Sequence, residues 1–197
     1  MLAYVFWHRP AEGIAQDRYE AALTRFHRSL HAHPPAGFVR SACLRAAAIA
    51  WMGGGDGYED WYVVEDFAAL GVLNEAAVAH THLAAHDEAA RRAGPGTGAV
   101  LRLLEGAPAP AEARIAVWVD KPRGVPSPML AAMLGDGMDA THAGLWQRQL
   151  SLGPSPEYCV LAGAPPAGVA STRLAHGWSA SASAREPLAW GQGRADH

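Results

Sequence analysis

Leu2–Pro10 has the sequence Leu-Ala-Tyr-Val-Phe-Trp-His-Arg-Pro, and a related sequence, Ile-Ala-Val-Trp-Val-Asp-Lys-Pro, occupies residues 115–122 of the 197-residue chain. Both stretches are rich in β-branched and aromatic residues, which favour strands. Each ends at a basic residue followed by a proline, and a proline cannot donate to a strand ladder. The sequence therefore predicts two strands that begin two related halves of the chain.

The first half predicts the element order β-α-β-β-α-β. Apolar residues at helical spacing predict a helix that follows Asp17, a candidate N-cap. A glycine-rich turn at residues 53–57 separates two strands, residues 38–49 and 58–65, and residues 99–104 form a last strand after a second helix. Alternation along residues 58–65 predicts one face with Glu59, Trp61 and Val63 and another with Asp60, Tyr62 and Val64. This order is typical of the split βαβ, or ferredoxin-like, unit, in which two helices cover one face of a four-stranded antiparallel sheet. We expect the other face of that sheet to need a partner.

The second half repeats this order less completely. After its first strand, the pattern predicts a long, imperfect helix that resumes over residues 140–150. The next predicted strand, residues 158–162, contains Cys159, which we match to Cys43 of the first half. The second half is therefore predicted to contain the same third element as the first.

Beyond that strand the similarity between the halves weakens. Residues 170–178 are predicted to pair with the preceding strand, and residues 188–190 form at most a short edge strand. The sequence thus predicts a first ferredoxin-like repeat at residues 1–106, a linker at residues 107–113 and a second, shortened repeat at residues 114–197. The shortened repeat leaves open a homodimer in which edge strands pair between two copies of the chain.

The composition indicates a globular protein. Half of the residues are hydrophobic, and 16 basic and 19 acidic residues give a net charge of −3. This balance, without long blocks of like charge, is not typical of a protein that binds nucleic acid or an anionic membrane. Only two cysteines occur, and they lie in apolar runs without the spacing of a disulfide framework or a zinc motif. We therefore expect a cytoplasmic protein with a small-molecule partner and without a metal site.

Three polar residues are candidate catalytic groups. His8 ends the first strand, where its imidazole could move a proton near neutral pH, and Asp120 is its titratable counterpart in the second half. Arg40 interrupts an apolar strand, so its guanidinium could hold a carboxylate or an enolate oxygen. The alternatives are that His8 is a polar strand end at the surface and that Arg40 forms an internal salt bridge with Asp60 or Glu59.

Aromatic side chains on predicted strands could line a pocket for a flat ligand. The alternative is that they belong to the hydrophobic core. Together with one strand histidine, the candidate substrate-binding residues are Trp7, Trp61, Tyr62, Trp118, His176 and Trp178.

The helical histidines leave a second ambiguity. His27 and His31 are four residues apart and share a helix face, a spacing that metal sites also use. Histidines near a helix C-terminus also complement the helix dipole. His80, His82 and His86 form a second cluster, for which no third ligand of known position can be given from the sequence. We therefore predict no metal ligands.

Two fused split βαβ units with open sheet faces resemble the dimeric α+β barrel superfamily, in which two such sheets meet around a cavity. Residues 26–34, Phe-His-Arg-Ser-Leu-His-Ala-His-Pro, precede a Gly-Phe strand start and resemble the Trp/Tyr-x-x-x-His-x-Pro neighbourhood of EthD-type and stress-responsive barrel proteins. The resemblance therefore implies an α+β fold of tandem ferredoxin-like repeats that form one barrel with a pocket.

The superfamily includes cofactor-free monooxygenases, isomerases and cyclising enzymes that act on small aromatic or polyketide-like compounds. The resemblance thus implies a small-molecule-binding barrel, as a cofactor-free oxygenase, isomerase or cyclase. It leaves open a non-catalytic ligand-binding or stress-related barrel, and a haem protein that uses a helical histidine. A fold does not select among these functions, so whether the protein is an enzyme stays open at this point.

Overall fold

The computed structural model describes residues 1–164 and 180–188. Their main elements, in chain order, are β1 (Leu2–Pro10), α1 (Gln16–Ala32), β2 (Phe38–Ala46), β3 (Gly57–Val64), α2 (Phe67–Ala77), α3 (His80–Ala90), β4 (Ala93–Gly106), β5 (Ile115–Val119), α4 (Ser127–Gly135), β6 (Gly144–Ser151), β7 (Tyr158–Ala162) and β8 (Ala180–Pro187). A 3₁₀ turn, Ala50–Met52, lies between β2 and β3. No helix among the described residues is long and apolar enough to cross a membrane.

The eight strands form one closed barrel in the order β1-β3-β2-β8-β5-β7-β6-β4, and every neighbouring pair is antiparallel. The first half contributes the run β4-β1-β3-β2, and the second half contributes β8-β5-β7-β6, which places corresponding strands in the same order. The two halves meet where β2 pairs with β8 and where β4 pairs with β6. This arrangement confirms the predicted α+β barrel of ferredoxin-like sheets. The residue boundaries of the two repeats and the linker stay a prediction.

Strict alternation on β3 separates the inside of the barrel from its helix-covered outside. Trp61 and Val63 belong to the apolar cluster inside the barrel, whereas Tyr62 and Val64 pack under the helices of the first half. Successive side chains of a strand point to opposite faces, so Glu59 shares the inner face and Asp60 shares the outer face. The hairpin pattern predicted these two faces correctly.

The helices cover the barrel through their apolar faces. On α1, Tyr19, Leu23, Phe26 and Leu30 are buried, as their spacing predicts. The predicted cap at Asp17 is wrong: Ala15 is the N-cap, and Asp17 lies in the first turn, where its charge favours the helix dipole.

In the second half, α4 packs Leu130 and Leu134 against outward-facing residues of β5 and β7, including Val117 and Val160. One helix therefore covers the outer face of that sheet within the described residues.

The second half corrects three predictions. Residues 140–150 are not helical, because Gly144–Ser151 is strand β6. Three consecutive residues at its start, Gly144 to Trp146, are buried, so the strand lacks the two-residue alternation that would have identified it. Cys159 lies on β7, the counterpart of β3, so its match to Cys43 on β2 is wrong. The last described strand is Ala180–Pro187, and Leu188, where an edge strand was predicted to begin, lies outside it; residues 189 and 190 lie outside the described residues. The strand predicted at 170–178 lies outside the described residues.

Strand β4 is longer than the predicted 99–104, and its glycines explain why. At Gly96, a Cβ atom would lie 2.4 Å from the ring of Phe6, and at Gly98 it would lie 2.9 Å from the hydroxyl of Tyr4. Both rings project from the neighbouring strand β1 and lie flat over this part of β4. The turn-like composition of residues 94–98 therefore marks close ring-to-backbone packing within a strand.

Candidate functional site

The interior of the barrel is filled by tryptophans. Trp7, Trp61, Trp118 and Trp146 are all less than 2% exposed. The ring of Trp118 lies 5.1 Å from that of Trp7 and 6.2 Å from that of Trp61, and Trp61 lies 5.5 Å from Trp146. Aromatic pairs at these centroid distances stabilise each other beyond simple burial. Trp7, Trp61 and Trp118, which were expected to line a central cavity, thus fill that space together with Trp146.

A buried ion pair lies among these rings. The Nε atom of Arg185 donates to Glu59 Oε2 at 2.9 Å, and both side chains are fully buried. The indoles of Trp7 and Trp61 also donate to the Glu59 carboxylate, at 3.3 and 3.2 Å. The guanidinium further donates to the backbone oxygens of Pro110 and Ala113. Because Glu59 lies on β3 and Arg185 lies on β8, this ion pair links the two strands across the interior of the barrel.

A cleft of about 660 Å³ opens at one end of the barrel, and we call it the mouth cleft. It lies between the end of β5, the start of β8, the 3₁₀ turn and the loop that joins β6 to β7. The lining residues with polar atoms or aromatic rings are Trp51, Trp118, Asp120, Arg148, Ser151, Ser155 and Ser181. The cleft thus combines an aromatic floor with a carboxylate and a guanidinium.

Buried polar atoms of the mouth cleft lack partners. Trp51 Nε1, Trp118 Nε1 and Ser155 Oγ are all inaccessible to solvent, and none has a hydrogen bond within residues 1–164 and 180–188. An unsatisfied buried donor costs about 1–3 kcal/mol, and native proteins keep few of them. An indole N–H can only donate. In this conformation the three groups are closed off from the cleft, so a ligand oxygen would accept their hydrogen bonds only after these side chains turn towards it.

A second polar cluster lies outside the barrel, between the sheet and α1, and we call it the Asp60 cluster. His8 Nε2 lies 3.1 Å from Asp60 Oδ2, and His27 Nε2 lies 3.2 Å from Asp60 Oδ1. Both imidazoles are fully buried. Burial alone would raise the pKa of Asp60, but the two imidazoles outweigh it and hold that pKa far below its usual range. Asp60 is therefore ionised inside the protein.

Hydroxyl groups anchor the other sides of both imidazoles. Tyr19 Oη lies 2.6 Å from His8 Nδ1, and Ser41 Oγ lies 2.7 Å from His27 Nδ1. Burial and the charge of Asp60 raise the pKa of Tyr19. Tyr19 is therefore a neutral hydrogen-bonding group, and both imidazole rings have fixed orientations.

The structure separates the predicted catalytic residues. His8 belongs to the Asp60 cluster and does not line the mouth cleft. Arg40 has a side chain that is 44% exposed and lies 4.0 Å from Glu112, so the alternative of a salt bridge to Asp60 or Glu59 is wrong. Asp120 lines the mouth cleft. Their catalytic roles stay predictions, and only Asp120 lies in the cleft.

The predicted aromatic residues also divide between two places. Trp7, Trp61 and Trp118 are inside the barrel, and Trp118 reaches the mouth cleft. Tyr62 lies outside, where its hydroxyl donates to Asp60 at 3.2 Å. His176 and Trp178 lie outside the described residues. Sequence reasoning missed Trp51 and Arg148 of the mouth cleft and Arg185 of the interior ion pair, since their partners come from distant parts of the chain.

A partly exposed ion pair beside the Asp60 cluster gives a pH prediction. Arg45 donates to both carboxylate oxygens of Glu20 at 2.6 Å, and Tyr58 donates to the same group at 2.8 Å. The Arg45 hydrogen bonds outweigh partial burial and lower the pKa of Glu20 to about 2. Because this folded-state pKa is depressed, the stabilisation is present above about pH 4.5 and is lost as pH falls towards 2.

We expect Glu20→Gln to be less stable than wild type by about 1 kcal/mol at neutral pH and equally stable near pH 2. Urea unfolding at several pH values measures this difference, with the exposed Glu12→Gln as the matched control. A pH-independent difference between Glu20→Gln and wild type would contradict the assignment.

Solved structures share this architecture at low sequence identity. An anthrone oxidase-like protein aligns over 95% of this chain and 91% of its own, with a TM-score of 0.56 and 9% identity. A monooxygenase-like protein from Lactobacillus acidophilus NCFM aligns over 94% and 93%, with a TM-score of 0.52 and 9% identity. A chlorite dismutase-like protein aligns over 95% of both chains, with a TM-score of 0.50 and 14% identity.

No protein-family model and no curated protein matches the sequence. The EthD-type resemblance of residues 26–34 therefore stays a prediction. The strand order and the likeness to solved structures agree with each other over nearly the whole chain. The chain has the fold of the dimeric α+β barrel superfamily, with the complete barrel formed by one polypeptide.

Proposed function

We propose that the protein binds a small aromatic compound with oxygen acceptors in the mouth cleft and acts on it as an enzyme without a cofactor. One observation carries this proposal: Trp51 Nε1, Trp118 Nε1 and Ser155 Oγ are buried at one cleft without hydrogen-bond partners in the described part of the chain. A planar ligand would stack on the indoles, and a rotation of these side chains would turn their donors towards its oxygen.

The charged residues of the cleft suit a proton-transfer reaction. Asp120 is exposed on the cleft wall, where its carboxylate can take a proton from a carbon next to a carbonyl group. The enolate oxygen that forms would be held by the indole N–H groups once they turn towards it, and the Arg148 guanidinium, which also lines the cleft, adds a positive charge. Such an enolate is the common intermediate of cofactor-free oxygenation, isomerisation and cyclisation. The proposal therefore covers these three reaction types.

The solved anthrone oxidase-like structure suggests a probe, although it shares only the fold. Anthrone is a flat tricyclic ketone whose deprotonation gives an aromatic enolate. Reaction of this enolate with one dioxygen molecule yields anthraquinone and one water molecule, so the oxidation needs no further reductant. Anthrone therefore tests both binding and chemistry.

We expect the protein to bind anthrone with quenching of tryptophan fluorescence and to accelerate its oxidation. Asp120→Asn should lower the rate about 100-fold or more, because a general base typically contributes that much, while binding changes little. The measurement is oxygen uptake together with anthraquinone absorbance. Asp136→Asn, an exposed aspartate next to α4, is the matched control and should keep the full rate.

Two outcomes would redirect the proposal. Binding without oxygen uptake or tautomerisation in wild type would favour the non-catalytic ligand-binding barrel. Equal rates for Asp120→Asn and wild type would remove Asp120 from the mechanism.

We also infer a cytoplasmic location, a duplicated origin for the two halves and a homodimer. The two cysteines, Cys43 and Cys159, are both free and buried, which suits a reducing compartment. The equivalent strand orders β4-β1-β3-β2 and β8-β5-β7-β6 support duplication.

An apolar surface near the pairing of β4 with β6 suits a second copy of the chain. It contains Leu150 and Leu152, which are 55% and 70% exposed. Light scattering of the purified chain would test the homodimer.

A further inference from the structure

Three side chains of different chemistry converge under α1. An imidazole nitrogen of His27, the thiol of Cys43 and a carboxylate oxygen of Asp60 all lie within 4.8 Å of one another, and all three residues are buried. Cys43 and Asp60 are direct cross-strand neighbours on β2 and β3, and His27 projects from α1 above them. We propose that these three residues bind a divalent cation of the zinc type.

The ligand chemistry favours zinc. Zn²⁺ binds thiolate sulfur at about 2.3 Å and imidazole nitrogen or carboxylate oxygen at about 2.0–2.2 Å, so ligand atoms of one tetrahedral site lie roughly 3–4 Å apart. The 3.2 Å between His27 Nε2 and Asp60 Oδ1 falls in this range. Calcium and magnesium prefer sites built from oxygen ligands alone, which this cluster does not offer.

Contacts from neighbouring residues hold the proposed ligands in place. Ser41 fixes the Nδ1 side of His27, so the Nε2 atom faces the cluster. His8 contacts the second oxygen of Asp60 at 3.1 Å, and Tyr19 fixes the far side of the His8 ring. Metal-binding histidines and carboxylates commonly have such outer partners, which orient them.

One buried oxygen of the cluster is open to an additional occupant. Asp60 Oδ1 is fully enclosed, and its 3.2 Å contact with His27 Nε2 is not an aligned hydrogen bond within the described residues. A cation bound at Asp60 Oδ1 would satisfy that oxygen. Cys43 would bind as the thiolate and release its proton to the solvent, so that Zn²⁺ balances the two negative charges of Cys43 and Asp60.

This inference is independent of the proposed function, because none of the three ligands lines the mouth cleft. The ligands are also far apart in sequence, at positions 27, 43 and 60, which explains why spacing motifs do not reveal them. Since all three are buried, the cation would enter during folding and stabilise the folded chain.

Refolding with Co²⁺ as a spectroscopic substitute for Zn²⁺ tests the site. The full chain is unfolded with a chelator, freed of metal and refolded with one equivalent of Co²⁺ or Zn²⁺. We expect a near-ultraviolet thiolate-to-cobalt band, one equivalent of retained metal and a higher unfolding temperature with Zn²⁺ than without it. Cys159→Ser, which removes the other buried cysteine, should keep all three signals.

Two variants of the site complete the experiment. Cys43→Ser should lose the charge-transfer band, and Ser41→Ala should weaken zinc binding about 10- to 100-fold because it frees the His27 ring. If wild type shows neither the band nor retained metal, the proposal is overturned. A band that persists in Cys43→Ser and disappears in Cys159→Ser would also overturn it. Because the band is measured in wild type and Cys159→Ser, the test does not depend on the folding of Cys43→Ser.

Discussion

Arg185→Met is expected to destabilise the protein by about 3–5 kcal/mol, which is a large part of the stability of a domain. The guanidinium is the buried cation beside Glu59 and also donates to backbone oxygens of the chain between β4 and β5. Its removal leaves the Glu59 carboxylate inside the barrel without its cation, and the indoles of Trp7 and Trp61 are then its donors among the residues that the structure describes. Urea unfolding followed by far-ultraviolet circular dichroism measures the loss.

The matched control is Arg45→Met, because Arg45 forms its ion pair at the surface with a side chain that is 40% exposed. We expect this control to lose about 1 kcal/mol or less. The double variant Glu59→Leu with Arg185→Met should recover most of the stability, since neither charge then remains buried without its partner. Equal losses for Arg185→Met and Arg45→Met would show that the interior pair is solvated.

Trp118→Ala is expected to cost about 3–5 kcal/mol, the usual range for removing a large buried aromatic side chain. The ring of Trp118 contacts those of Trp7 and Trp51, both at centroid distances of 5.1 Å. Its loss would open an apolar cavity that is continuous with the mouth cleft. Thermal and urea unfolding measure the destabilisation. Trp118→Phe should lose less than half as much stability as Trp118→Ala.

Indole provides a direct check of that cavity, because apolar cavities in proteins bind aromatic molecules of matching size. Millimolar indole should raise the unfolding temperature of Trp118→Ala and leave that of wild type unchanged. If indole stabilises both proteins equally, it binds elsewhere. If it stabilises neither protein, the neighbouring rings have collapsed into the space.

Local patterns predicted the first half well and the second half less well. The alternation of Glu59, Trp61 and Val63 with Asp60, Tyr62 and Val64 identified both faces of β3, because every side chain on this strand is buried and its pairing is regular. In β6, Leu145, Trp146 and Gln149 follow a spacing that also fits one face of a helix, so the same rule failed although these residues form a strand. Strand β8 escaped prediction because its residues are mostly Ala and Ser, which give weak strand signals.

The candidate site could be predicted only in part, because its residues come from distant strands. Trp118 and Asp120 end the second copy of the opening motif, and both lie in the mouth cleft. His8 and Trp7 are adjacent in sequence, yet strand geometry sends Trp7 into the barrel and His8 to the helices. The partner of Glu59 is Arg185 and not Arg40. The signal that could have found it is the pair of charged residues, Arg185 and Glu186, that follows a run of small residues in β8.

The two seams of the barrel differ in length, and this difference has a kinetic consequence. Among the described residues, β2 and β8 pair at three positions, whereas β4 and β6 pair at seven. The shorter seam also joins strands that are farther apart in the sequence, since residues 44–46 pair with residues 185–187. Its formation therefore costs more loop-closure entropy than the pairing of β4 with β6. Refolding should therefore end with the docking of β8 onto β2. Chains that collide at high concentration before this last step would exchange their β8 strands and emerge as intertwined pairs.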